Sequence, residues 1–237
     1  MIGDINEIRN SWPTVIRQRC ARLAGKRDAG KTLDLAGVSA VVISGEASSV
    51  RLTTSASAPY QATIGSSREA RWYSSWFAND CSLASDVKLE ASTLRIVVAP
   101  SSWLDPSDCR VEINANIQPE SSVSIDQAAL KASIAGNFST IAISSKAADV
   151  SLDGHASTVE LKGDALKANL AFGSVRQDEN IAITGKALDA TLSFGKGAAI
   201  SYSVAATASF VDSTLASTAG AKPSVVIKGD FVRATIR

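Results

Sequence analysis

The chain holds a single imidazole, His155, in the run Asp153-Gly154-His155, with Ser157 two residues on. Aspartate, histidine and serine are the parts of a nucleophilic triad, in which the imidazole takes the hydroxyl proton and the carboxylate orients the ring. Residues crowded onto one short turn seldom reach the separated geometry those roles need. The sequence therefore predicts His155 as a solvent-exposed turn residue. Three thiols, Cys20, Cys81 and Cys109, complete the set of soft ligands, and none has C-x-x-C spacing. His-rich metal sites and paired-histidine chemistry are excluded, and neither a metal nor a cofactor is expected. Cys81 and Cys109 flank one insert-like segment and could pair in an oxidising compartment, leaving Cys20 over. Three ordinary buried thiols is the other reading.

Binding chemistry is better represented than catalytic chemistry. Arg71, Trp72, Tyr73, Trp76 and Phe77 fall within seven residues, interleaved with Ser74 and Ser75. Rings spaced by small polar residues can stack on sugars or anchor a protein partner. They can equally pack against the side of a domain with a small-residue core. Lys162-Gly163-Asp164 and Lys228-Gly229-Asp230 match a short receptor-binding tripeptide, and Asn137-Phe138-Ser139 matches a glycosylation sequon. Turn chemistry accounts for both tripeptides. No phosphate-cradling glycine loop precedes a helix, and no carboxylate-rich stripe of the kind glycan-cleaving enzymes use is apparent.

The bulk properties narrow the partners. The chain has 237 residues, 45% of them hydrophobic and 20% charged, as in a globular protein of one domain or two small ones. Its 24 Lys and Arg nearly balance 23 Asp and Glu, so no basic surplus exists to neutralise a phosphate backbone, and nucleic acid is excluded. No stretch reaches the ~18 apolar residues that span a bilayer, and the N-terminus lacks a signal-peptide core. Met1 is the one methionine, which suggests an initiator placed ahead of a processed chain. A signal or membrane anchor upstream of Ile2 is therefore expected, and with it membrane proximity.

Several elements must position these residues. Residues 4–25 read as a helix, with Ser11 as N-cap, Pro13 in the first turn, and Ile16, Cys20 and Leu23 on one face. Its polar face carries Arg17, Arg19 and Arg22, and a basic linker runs to Lys31. After that the period changes from 3.6 to 2. Val41-x-Ile43 and Val50-x-Leu52 read as two short strands around a tight turn at Gly45. Residues 57–109 form a less regular, insert-like block.

From residue 110 the chain repeats. Apolar pairs end at Ile125, Ile134, Ile143, Leu152, Leu161 and Leu170, each nine residues after the last. The register resumes at Ile183 and Leu192, then at Ile227 and Ile236. Gly136, Gly154, Gly163, Gly185 and Gly229 follow the pairs by two residues, where a corner would need them. The first members alternate in size, with Val123, Ile141, Val159, Ile181, Ile200 and Val225 against Ala132, Val150, Ala168, Ala190 and Ala234. Such short strands are too small for a hairpin meander but can stack as coils, each bonded to the next, around an apolar interior. The eighteen-residue size period predicts two arms per coil. An antiparallel sandwich is the competing fold, but it does not hold one register through six units. The expectation is an all-β chain: a parallel β-solenoid over 32–237 behind a unit over 1–31 made of a short N-terminal α-helix and a basic linker.

Val41-Val42-Ile43-Ser44-Gly45 with Val50-Arg51-Leu52 resembles the opening of the DUF4097-type putative adhesin family. So does the run from Val159 through Leu161, Gly163 and Ala168 to Leu170, and the head domain of the related autotransporter adhesins is similar in pattern. The resemblance covers roughly residues 35–237 and rests on motifs that any solenoid shares. It implies a β-helical, non-enzymatic module of the bacterial envelope, periplasmic or at the cell surface, with no catalytic residues to transfer. The expected partner is an envelope protein or a polysaccharide. A self-assembling, bactofilin-like element and a carbohydrate-active β-helix enzyme are the alternatives. The chain ends just after Val232–Ile236, so an open final coil there would favour a homodimer through the C-terminal end.

The period-two assignment has a direct test. Leu161→Asp places a carboxylate inside the stack and is expected to cost several kcal/mol, whereas Glu160→Ala, facing solvent, is expected to cost at most ~0.5 kcal/mol. Equal melting temperatures for the two variants would contradict it.

Overall fold

The computed structural model describes residues 32–68, 85–99 and 109–237. The expected helix and the basic linker lie outside them. Among the described residues every regular element is a strand. These are β1 (Thr32–Asp34), β2 (Ala40–Thr53), β3 (Gln61–Arg68), β4 (Ser85–Glu90), β5 (Thr93–Val98), β6 (Cys109–Asn116), β7 (Ser121–Phe172), β8 (Asn180–Phe194), β9 (Ser201–Ser213) and β10 (Ser224–Ile236). The chain is all-β. Its sheet is mixed and runs β1-β3-β6-β2-β7-β8-β10-β9, with β5 also on β2 and β4 on β5.

Parallel pairing makes the centre, and it follows the apolar register. Val41 and Ile43 of β2 lie opposite Val123 and Ile125 of β7. Val159, Leu161, Ala168 and Leu170 of β7 lie opposite Ile181, Ile183, Ala190 and Leu192 of β8. The same four positions of β8 face Val225, Ile227, Ala234 and Ile236 of β10. Bulky residues thus stack on bulky ones in one column and small on small in another, and both columns are buried. Phe172 and Phe194, on partnered positions of β7 and β8, stack with ring centroids 5.4 Å apart.

The 52 residues of β7 could not run straight, since extended they would reach about 170 Å. Instead the strand folds back over itself. A Cβ built on Gly154 would lie 2.1 Å from the carbonyl oxygen of Gly136, and one on Gly163 would lie 2.0 Å from that of Ser145. Both approaches span eighteen residues, the size period of the sequence. Gly136 and Gly154 turn the corner with φ of +115° and +143°, where a side chain would be strained.

Three expectations are corrected. Val41–Leu52 is not two strands about a turn but the single fourteen-residue β2, bent at Gly45. The two halves of β2 take different parallel partners, β5 and β6, and antiparallel pairs continue outward, β4 on β5, β3 on β6 and β1 on β3. Second, the final strand is not an open end. β10 is bonded in parallel to β8 on one side and β9 on the other, so the outermost strand is β9, which comes earlier in the chain. Third, Ile200 is not in the stacked column: Tyr202 and Val204 stand opposite Val225 and Ile227, while Ile200 is buried just before β9 and bridges Ser217.

The corner glycines are expected to be non-exchangeable where backbone crowds them. Gly154→Ala should cost roughly 2–4 kcal/mol through strain and a backbone clash. Gly173→Ala has nothing within 4 Å of its new Cβ and should cost less than ~1 kcal/mol. Denaturant titration that finds equal losses would contradict the corner geometry.

Candidate functional site

Two features stand out on the stack: a groove along one side and a buried polar cluster at a corner. The groove follows from the position four residues past the second member of every other inner pair. There Ala47 lies opposite Ala129, Ala165 opposite Ala187, and Ala187 opposite Phe231, itself beside Ala208. Alanine at this column leaves a trough of about 1040 Å³ across the strands. The next column, Leu130, Ala148, Leu166, Leu188 and Val232, forms its buried floor. At one end the floor meets two exposed rings, Phe210 at 63% and Phe231 at 67% accessibility, which is unusual for such large apolar side chains.

The groove's rim carries Lys131, Asp149, Lys167, Asp189 and Arg233. Lys167 faces Asp189, and Asp189 faces Arg233, across adjacent strands. Charges of opposite sign thus alternate along the rim, which presents no field of one sign. The surface is therefore suited to an uncharged or apolar occupant.

The corner cluster corrects the reading of His155. The ring is fully buried, not exposed, because the loop between β7 and β8 folds over it. That loop brings Glu179, also fully buried, so that His155 Nδ1 and Glu179 Oε1 are 3.1 Å apart. The backbone N–H of Arg176 donates to the same Oε1 at 2.6 Å, and the Arg176 guanidinium donates to Glu120 at 2.8 Å. Asp178, half exposed, stands with Oδ1 3.8 Å from His155 Nε2. Ser157 donates its hydroxyl to the other oxygen of Asp178 at 2.8 Å.

A serine, a histidine and an aspartate thus do meet, but in the wrong order for acyl transfer. The hydroxyl proton is given to the carboxylate, which lies between serine and ring, whereas a nucleophile must hand its proton to the imidazole. His155 Nε2 and Glu179 Oε2 are both buried without a hydrogen-bond partner. His155, Asp178 and Glu179 can each offer one ligand atom within 4.8 Å of the others, the one such group among the described residues. The sequence carried a signal for this cluster. Leu170 to Ile183 is an interval of thirteen where the repeat has nine, and the extra residues hold Arg176, Asp178 and Glu179.

The remaining sequence candidates fall as follows. Arg71, Trp72, Tyr73, Trp76, Phe77 and Cys81 lie outside the described residues, as does Cys20. Cys109 opens β6 opposite Arg68 of β3. Gly163 and Gly229 sit at corners, where Lys162 pairs with Glu160 at 2.6 Å and Asp164 with Lys186 at 2.8 Å. The hydrogen bond from Lys186 holds the Asp164 carboxyl below its ordinary range, and the same bond holds Lys186 above its own. Both groups are exposed, and such a pair adds little stability. Asn137 of the sequon is exposed, its N–H bonded to the Thr54 hydroxyl at 2.7 Å, while Phe138 is buried.

No family model matches the chain, and no curated protein matches it in sequence. Among solved structures it is similar to a putative adhesin from Bacteroides fragilis at 10% identity and a TM-score of 0.48, covering 87% of this chain and 94% of that one. It is also similar to a putative cell adhesion protein from Clostridium sporogenes at 12% identity and a TM-score of 0.41, covering 87% and 97%. A putative adhesin from Parabacteroides merdae gives 10% identity, a TM-score of 0.37, and coverage of 88% and 96%. Likeness at that level fixes neither fold nor activity.

Proposed function

We propose that the chain is a non-catalytic binding module of the bacterial cell envelope, built as a parallel β-solenoid with two arms per coil. The eighteen-residue approaches within β7 and the shared register of β2, β7, β8 and β10 support the architecture. The observation that carries the function is the alanine-walled groove. It is long, floored by aliphatic side chains, ended by two exposed phenylalanines, and bordered by charges of alternating sign. A flat apolar trough with no cluster of poised acids and bases serves recognition rather than bond cleavage.

Of the two expected partner classes, the groove favours a protein segment over a polysaccharide. A sugar chain needs many hydrogen-bonding side chains or a ring platform along its length, and the walls here are methyl groups. An extended apolar segment of an envelope protein would bury those methyls and gain ~25 cal/mol for each Å² of apolar surface covered.

Ala187→Arg should fill the middle of the groove from an exposed position while leaving the floor intact. With arrayed extended apolar peptides and with purified peptidoglycan as the two probes, the wild-type chain is expected to retain peptides. The variant is expected to lose at least about tenfold in affinity, about 1.4 kcal/mol, with an unchanged melting temperature. Peptide binding that survives Ala187→Arg, or binding to peptidoglycan alone, would contradict the reading.

A further inference from the structure

We propose that His155, Asp178 and Glu179 form a binding site for a divalent transition-metal cation of the zinc class. The starting point is a deficit. Glu179 is fully buried, and both hydrogen bonds it receives fall on Oε1, leaving Oε2 with none. His155 is equally buried, and its Nε2 has no hydrogen bond although the Asp178 carboxylate stands 3.8 Å away. A buried carboxylate oxygen and a buried ring nitrogen left unpartnered are costly, and each is a metal donor. One ligand atom from each of the three side chains lies within 4.8 Å of the others, close enough for a cation to be shared among them.

The donor set selects the ion. One imidazole with two carboxylates suits zinc and its first-row neighbours, which accept nitrogen and oxygen together. Calcium takes six to eight oxygens, and magnesium favours all-oxygen octahedra, so neither is matched by this set. The carboxylates are already restrained: the Arg176 N–H holds Glu179, and Ser157 holds Asp178. Such outer contacts are what orient ligands at metal centres. Asp178 is half exposed and gives the ion a route from solvent. Binding would tie the loop that carries Asp178 and Glu179 to the β7 corner at His155, and three protein ligands would leave a coordination position open to water or to a partner's donor.

Because the chain has one histidine, ring-nitrogen NMR of the ¹⁵N-histidine-labelled full chain reports this site alone. The three cysteines, which could bind zinc independently, are replaced by serine in a parallel sample. Zinc added after chelator treatment is expected to shift the imidazole nitrogens to saturation at one equivalent, in both samples, with reversal by EDTA. Calcium and magnesium are expected to leave them unmoved. His155→Ala risks the fold, so Asp178→Asn, a change at a half-exposed side chain, is the informative variant. It is expected to keep the melting temperature of the metal-free protein and to weaken zinc binding at least about tenfold. Imidazole signals that do not respond to zinc, a response lost with the cysteines, or equal affinity in Asp178→Asn would overturn the proposal.

Discussion

Each strand at the centre of the sheet pairs in parallel with residues eighteen or more positions away in the chain, and the rest of the structure is arranged around that dependence. Parallel neighbours cannot be joined by a tight hairpin, so the chain must travel a longer path before it can pair again. Eighteen residues is the length of that journey within β7. The backbone at Gly136 approaches Gly154 so closely that Gly154 cannot carry a side chain. The apolar pairs then need only be of similar size from coil to coil to fill the interior, which explains why Ala, Val, Ile and Leu suffice and aromatic residues are few.

Much of this was legible before any coordinates, for a physical reason. The inward direction of every second residue and the position of each corner are local properties, and stacking repeats them. Val159, Leu161, Ala168 and Leu170 therefore announced both the register and their own burial. Spatial order is different. That β10 inserts between β8 and β9 depends on which edge the chain returns to, and the pattern of Val225–Ile236 is the same in either place. Ile200 misled because it satisfies the spacing while the strand proper starts one residue later, in a register that selects Tyr202.

His155 shows the same division. Its own neighbours, Asp153 and Gly154, describe a turn, and turns are usually exposed. What buries it is a loop more than twenty residues downstream, and only the tertiary stack brings the two together. The groove was missed for another reason. Attention to the apolar pairs passes over Ala129, Ala147 and Ala165, whose eighteen-residue spacing is as regular. Small residues announce no chemistry singly; stacked beside a leucine floor they make a surface. The groove and the corner cluster thus share one origin, the repeated register: the groove follows it across the strands, and the cluster sits where the longer interval from Leu170 to Ile183 interrupts it.

The central claim is the in-register parallel pairing, and disulfide trapping tests it most directly. With the three native cysteines replaced by serine, Glu160→Cys combined with Ala182→Cys places two thiols on partnered positions of β7 and β8. Glu160→Cys with Thr184→Cys places them two residues out of register. The account predicts rapid, complete oxidation to the intramolecular disulfide in the first protein and little in the second. Equal oxidation of the two, or faster bridging in the second, would contradict it.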